Sequence, residues 1–344
     1  MSPASRKVLV YGAIMLFGLV APALMPGFKI QLTELWIFIV FALTWDLVGG
    51  QMGYNSFGNI VFFGIGMYAC AVVQVGLIFD VGAFNAARGG GTAFVFDVPD
   101  YLTGLALGLP VAAILAMLVA ATLGAAILGM RGHYFAICTL GLGIAAGEIA
   151  AGWEWLGAGS GMTAPDPPAA LGGANELFYY LAFTLAVATF TTLRWLYGTR
   201  FGLAINAIRD DEDKAEAMGL RTTRYKTLAW SISAFFLGIA GGIEGNLKRF
   251  IDPQDVAFSG ETFGVWMILM AILGGKGTLW GPVIGAVVFH ITQELFWTYL
   301  LGWQRVALGL FIVLIVVFFP QGIMGWLRER WPARFGDTVA GEER

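Results

Sequence analysis

Residues 101–129 read Tyr101-Leu-Thr-Gly-Leu-Ala-Leu-Gly-Leu-Pro-Val-Ala-Ala-Ile-Leu-Ala-Met-Leu-Val-Ala-Ala-Thr-Leu-Gly-Ala-Ala-Ile-Leu-Gly129, without one charged side chain. A helix needs about 20 apolar residues to cross the hydrocarbon core of a bilayer, and this run exceeds that. Working outward, nine further apolar runs follow the same pattern, at about 8–26, 33–49, 57–79, 133–152, 176–196, 226–247, 262–280, 282–301 and 304–324. Gly or polar residues interrupt 33–49, 133–152 and 262–280, which are open to being broken or re-entrant. The composition agrees. Of 344 residues, 58% are hydrophobic and 12% charged, mean hydropathy is +0.75, and 48 are glycine. A soluble domain carries about 25% charged residues and about 7% glycine. A soluble enzyme could not cover its surface with so little charge, and a disordered chain would not hold so much apolar area in water. Glycine has no period of three, so the chain is not collagen-like. The reading is an all-α polytopic membrane protein of about ten transmembrane segments, one transmembrane domain over 1–344.

Net charge −3 argues against a nucleic-acid partner. Cys70 and Cys138 lie in apolar stretches and read as small core hydrophobes. Arg6 and Lys7 precede the first run, which is long and ends at Pro22 and Pro26, so it reads as a retained helix rather than a cleaved leader. With the N-terminus inside, ten spans leave 15 of the 20 basic residues in cytoplasmic segments. Lys29, Arg88, Lys248, Arg249 and Arg305 fall outside. The positive-inside bias therefore places both termini in the cytoplasm. Lys248-Arg249 sits on the wrong side, which an error in the length of the seventh span would explain. Trp153, Trp155, Trp195, Tyr197, Trp297, Trp303, Trp326 and Trp331 fall at segment ends, as interfacial aromatics do. Loops 80–100 and 153–175 lie outside; 197–225 is the long charged loop inside, and 325–344 forms a cytoplasmic tail.

The 197–225 loop is the sharpest feature. Ala204, Ile205, Ile208, Ala215 and Met218 fall near one helical face, with Arg209, Asp210, Asp213 and Lys214 elsewhere. Gly219 suits the residue just past a helix end. A helix over 204–219 could lay its apolar face in a partner's groove, or the loop could be a solvated connector. Two glycine-rich breaks interrupt apolar sequence. Gly49–Asn59 sits where a cytoplasmic loop should be, yet has no charge; Gly274–Pro282 contains Gly274-Gly-Lys-Gly277. Paired breaks of this kind point to a substrate path in transporters, whereas tight helix packing is the simpler reading. The ionisable residues within spans are Asp46, Glu148, Glu244, His290 and Glu294. Such residues face the bundle interior or a cavity. Asp46 and Glu148 are the better path candidates; Glu244 and Glu294 fall near span ends, and no paired Asp/Glu/His spacing supports a proton relay.

Several absences limit the chemistry. Met270 stands where G-x-x-x-x-G-K would need Gly, so Gly275-Lys276 is not a P-loop. There is no H-E-x-x-H, no G-x-S-x-G and no Cys/His cluster. The chain reads as no enzyme, and any energy for pumping must come from an ion gradient or another subunit.

Ala207-Ile-Arg-Asp-Asp-Glu-Asp-Lys-Ala-Glu-Ala-Met-Gly219, followed by Arg224-Tyr-Lys-Thr-Leu-Ala-Trp through Gly242, resembles the cytoplasmic loop and following helix of LivM-type permeases. These are membrane subunits of ABC importers for branched-chain amino acids. Gly53-Tyr-Asn-Ser-Phe-Gly-Asn59 through Tyr68, Gly132-His-Tyr-Phe-Ala-Ile-Cys-Thr-Leu140 with Glu148, and Gly274-Gly-Lys-Gly-Thr-Leu-Trp-Gly-Pro-Val-Ile-Gly285 are similar to further blocks of that family, in family order over about 45–320. The resemblance implies a bacterial inner-membrane permease in the lipid bilayer. It would pair with a homologous LivH-like subunit, two ATPase subunits and a periplasmic binding protein, with no cofactor of its own and ATP on the partners. Residues 204–219 would be the coupling helix, with Arg209, Asp210, Glu216, Ala217 and Gly219 at the ATPase contact. Asp46, Tyr54, Asn55, Ser56, Asn59 and Glu148 would line the substrate path. Tyr54 stands where the family usually has Gln, Asn59 where it has His, and Asp46 where Asn is common. These departures admit urea, short-chain amides or other organic acids as substrates. An ion-driven secondary transporter using Asp46 and Glu148 is the alternative class; a membrane-embedded enzyme lacks the clustered polar residues it would need.

Overall fold

The computed structural model describes residues 3–87, 94–318 and 321–330. Arg88, Trp331, Arg334, Arg344 and the tail beyond 330 lie outside the described residues. Among these residues the regular structure is helical apart from a two-residue strand pair. The helices are α1 (Pro3–Leu24), α2 (Lys29–Asp46), α3 (Asn59–Gly76), α4 (Val81–Ala86), α5 (Val98–Ile127), α6 (Gly132–Gly152) and α7 (Ala174–Tyr197). They continue as α8 (Arg200–Asp210), α9 (Glu212–Ala217), α10 (Thr222–Lys248), α11 (Val265–Gly274), α12 (Trp280–Tyr299), α13 (Gln304–Phe318) and α14 (Gly322–Arg330). Strands β1 (Met162–Thr163) and β2 (Phe250–Ile251) pair antiparallel, Met162 opposite Ile251.

Among the described residues seven segments are long and apolar enough to cross a membrane: Pro26–Gln51, Asn59–Gly76, Val98–Ile127, Gly132–Gly152, Ala174–Tyr197, Thr222–Lys248 and Pro253–Gly274. The other three expected spans, 8–26, 282–301 and 304–324, are not among these seven. In α1 the described apolar stretch is Tyr11–Leu24. The described part of the 304–324 run is the 15-residue α13 helix. On α12 the charge-bearing residues His290 and Glu294, with Gln293 between them, dilute the apolar run. Of the three interrupted segments, 133–152 is one unbroken helix. The first, 33–49, continues α2 into a widened π turn over Leu47–Gln51. The 262–280 run is broken: two π turns, Pro253–Ala257 and Gly260–Gly264, lead into α11, which stops at Gly274.

The core is built on backbone-to-backbone contact among α3, α5 and α10. A Cβ on Gly66 would stand 2.1 Å from the Gly238 carbonyl oxygen, and one on Gly241 would stand 2.0 Å from that of Phe63. Lipid tails are as apolar as leucine, so close van der Waals approach through small residues is what holds such helices together. Around this triple, α2 packs on α7, α11 and α12, and buries Trp36 to Trp45 almost without interruption.

One end of the bundle collects the polar features. Arg194, at the end of α7, donates to Tyr11 of α1, whose ring lies 5.7 Å from that of Trp280 at the start of α12. A Cβ on Gly275 would stand 3.1 Å from Met324 of α14. The 198–221 loop, the second break, the first helix and the last described helix therefore share that end. The far end of α10 carries Lys248 and Arg249. The helix runs one residue past the expected end of that span, and carboxylates meet both cations: Glu34 and Glu244 face Lys248, and Asp166 lies 3.6 Å from Arg249.

Candidate coupling surface and substrate-path residues

The single helix expected over 204–219 is two helices. Asp211 takes an extended backbone (φ −163°, ψ 102°) and its carboxylate accepts from the Lys214 amide at 3.0 Å, capping α9. Aspartate bonds nearby backbone better at a helix start than inside one, so the Asp210-Asp211 pair splits the run. Gly219 does end the second helix with φ +87°, as its position implied. The apolar face turns inward: Ala204, Ile205, Ile208 and Ala215 are buried in this chain's own bundle. That corrects the expectation that this face lies in a partner's groove. Only Met218 of the set points out, 87% exposed, joined by Leu203 at 71%. Asp210, Glu216, Ala217 and Gly219 are also exposed.

A buried ionic cluster fastens α9 to the bundle. Lys226, on the first turns of α10, has a side chain 1% exposed. It donates to Glu212 at 2.6 Å and to the Tyr54 hydroxyl at 3.0 Å, and lies 4.6 Å from the centre of the Tyr54 ring. Tyr54 in turn donates to Glu212. Arg131, just before α6, reaches Glu212 at 3.4 Å, Glu216 at 3.4 Å and Asp213. Thr222 donates to Glu216 at 2.6 Å. Burial pushes the Glu212 carboxyl up, but the hydrogen bonds from Lys226 and Tyr54 and the charges of Lys226 and Arg131 outweigh it, so its pKa lies below the usual value. Burial, then Glu212, pushes the Tyr54 phenol up. The bond to Asp213, then Glu212, raises Arg131. Sequence reading had Lys226 only as a cytoplasmic cation. A lysine inside the start of an apolar run is a signal, because it must find a carboxylate.

The two breaks meet directly. Asp46, 1% exposed, accepts from the Gly277 amide at 2.7 Å. A Cβ on Gly50 would stand 1.9 Å from the Asp46 carboxylate and 2.5 Å from the Gly277 nitrogen. Arg209 lies across the joint: it would stand 3.0 Å from a Cβ on Gly53 and 3.7 Å from one on Gly277, and it pairs with Asp210 at 3.1 Å.

The structure thus brings together Asp46, Tyr54, Arg209, Asp210 and Glu216 at one end. Ser56 and Asn59 are buried just beneath. The Ser56 carbonyl accepts from Trp45 Nε1 at 2.7 Å. Asn59 accepts from Trp230 Nε1 at 2.9 Å and reaches Ser233 at 3.4 Å. Asn55 is exposed. Glu148 stands apart, exposed on α6 about 24 Å along from the Arg131 end, and accepts from Gln254 Nε2 at 2.8 Å. The second glycine cluster also makes close contacts: a Cβ on Gly285 would stand 1.9 Å from the Met270 carbonyl oxygen, joining α12 to α11.

Comparison with known proteins fits these features. Residues 30–319 match the family described as branched-chain amino acid transport system / permease component. The high-affinity branched-chain amino acid transport system permease protein LivM of Escherichia coli (strain K12) is 26% identical over 337 residues, covering 90% of this chain and 76% of that protein. LivH of the same organism is 29% identical over 128 residues, covering 37% of this chain and 40% of LivH. A probable branched-chain amino acid transport permease protein LivM of Methanocaldococcus jannaschii is 26% identical over 222 residues, 59% of each chain. No solved structure matches with significance. With a family match over most of its length, helices apolar enough to span a bilayer and a capped, ionically fastened pair of loop helices, this multi-pass membrane protein belongs to the permease components of branched-chain amino acid ABC transport systems, and is a transport subunit rather than an enzyme.

Proposed function

We propose that the chain is the LivM-type half of a bacterial inner-membrane importer. It moves branched-chain amino acids, or a related small polar solute, inward by alternating access. Family membership brings ATPase and binding-protein partners and no cofactor on the permease itself. The finer assembly is a LivH-like second permease, two ATPases and a periplasmic binding protein. In this reading 1–344 is one transmembrane domain of about ten segments, with α1, α12 and α13 completing the count. The loop end faces the cytoplasm, and so do both termini.

The Glu212–Lys226–Tyr54 cluster carries the mechanism. An ATPase gripping the exposed face of α8 and α9, at Leu203, Asp210, Glu216, Ala217, Met218 and Gly219, pulls on α9. The pull passes through Glu212 to Tyr54 in the first break and to Lys226 on α10. Arg209 transmits it to the joint where Asp46 holds the second break. Closing and opening this joint controls access past Asp46, Tyr54, Asn55, Ser56 and Asn59, while Glu148 lies along the path nearer the outer end. An element with two arrangements, biased by a bound partner, is what such coupling needs.

Asp46, Tyr54 and Asn59 in place of the usual family residues support a second substrate reading, urea, a short-chain amide or another organic acid. The test is uptake into proteoliposomes holding this chain, its LivH-like partner, the ATPases and binding protein. Uptake of leucine, isoleucine or valine that requires ATP supports the proposal. Uptake by this chain alone, driven by a pH or sodium gradient, refutes it in favour of a secondary transporter.

A further inference from the structure

The far end of the bundle holds a second polar cluster with no part in coupling. Glu34 lies on α2, Glu244 and Lys248 on α10, His290 and Glu294 on α12. Lys248 pairs with Glu34 and stands 3.8 Å from Glu244. A ring nitrogen of His290 and carboxylate oxygens of Glu34 and Glu294 all lie within 4.8 Å of one another. Sequence reading found no paired spacing here, yet His290 and Glu294 are four apart, one turn along the same face of α12.

Two observations make this more than an acidic cluster. His290 is only 5% exposed, packed edge-on against Phe38 at 5.4 Å, and among the described residues its Nδ1 has no hydrogen-bond partner. Glu244, 3% exposed, likewise leaves Oε2 without one. Buried polar atoms without a protein partner are costly, and a water or an ion is what meets such atoms. Charge gives the second argument. Three carboxylates, Glu34, Glu244 and Glu294, crowd one ammonium, and carboxylates brought this close repel one another or stay neutral unless a further cation joins them.

We propose that Glu34, His290 and Glu294 bind a divalent transition cation, with Zn²⁺ the type. One imidazole and two carboxylates suit zinc, whose bonds of about 2.0–2.2 Å require these atoms to draw in from their present spacing, with a fourth position for water. A single ion would balance the crowded carboxylates, take up a ring nitrogen of His290 and tie α2 to α12 beside α10. Its role is structural, and it stands independently of the transport reading.

The test uses the full-length chain, purified in nanodiscs, stripped with chelator and titrated with buffered Zn²⁺. One zinc per chain should be retained, with a rise in unfolding temperature that follows occupancy. H290Q and E294Q should each lower zinc affinity at least tenfold while eluting as the same monodisperse species. E294Q changes the half-buried rim of the site, so it reports on zinc even if H290Q fails to fold. Failure of the wild-type chain to retain zinc, or undiminished binding in E294Q, would overturn the proposal.

Discussion

Glu212→Ala tests the fastening of α9 to the bundle. The substitution leaves the Lys226 ammonium, whose side chain is 1% exposed, without its carboxylate. Breaking a buried ion pair by removing one partner costs about 3–5 kcal/mol. The Tyr54 oxygen at 3.0 Å and the ring face at 4.6 Å still serve Lys226 and return about 1 kcal/mol. Arg131 keeps its contacts to Asp213 and Glu216, so those parts of the fastening survive. The net loss is about 3 kcal/mol, which at 1.4 kcal/mol per factor of ten raises the open fraction of α9 on the order of a hundredfold. Hydrogen exchange in nanodiscs reads this directly: amides of 214–219 should lose about two decades of protection while the amides of α3 and α5 keep theirs. The second arm is Glu212→Ala with Lys226→Met. With both charges gone no buried ion is left unpaired, so most of the protection should return. Full protection in the single variant, or a double variant as open as the single, would show that this pair does not hold the loop.

Other outcomes follow from the same geometry. The Glu212 pKa is depressed in the folded chain, so its contribution is complete above the unfolded carboxylate value of about 4.5 and is lost as pH falls through the lower folded value. Protection of α9 should therefore be flat from pH 8 to 6 and fall only in acid. Gly241→Ala sets a Cβ 2.0 Å from the Phe63 carbonyl oxygen and should destabilise by about 1–3 kcal/mol or more, whereas Gly141→Ala, with nothing within 4 Å, should not lower the unfolding temperature. Met218→Glu with Leu203→Glu should abolish co-purification of the ATPases without changing thermal stability, and Arg209→Ala should leave ATP hydrolysis uncoupled from uptake. A cysteine at Asn55 should label with a thiol reagent in the resting state, while cysteines at Ser56 and Asn59 should label only during turnover; labelling of all three at rest would refute a closed joint.

Much of this was readable in the order of residues. The spans announce themselves because a helix in lipid must be apolar along its whole length, which is a local property. The cap at Asp211 and the stop at Gly219 are also local in principle, yet the Asp210-Asp211 break went unread because apolar spacing carries across it. The inward turn of Ala204, Ile205 and Ile208 was not readable. An amphipathic helix has an apolar face whether it covers its own bundle or a partner, and periodicity cannot choose between them.

Membrane class, the positions of seven spans, the two glycine breaks and the exposed charged loop come from composition and pattern along the chain. The partners of its ionisable side chains do not. Lys226 meets Glu212 and Tyr54 across 14 and 172 positions, Asp46 meets Gly277 across 231, and Glu34 meets Lys248 across 214. A charge buried in an apolar bundle must be neutralised or bonded, so each such residue announces that a partner exists. Which residue that partner is depends on how the helices pack, and the packing is set by backbone contacts such as Gly66 on Gly238 that no local pattern encodes.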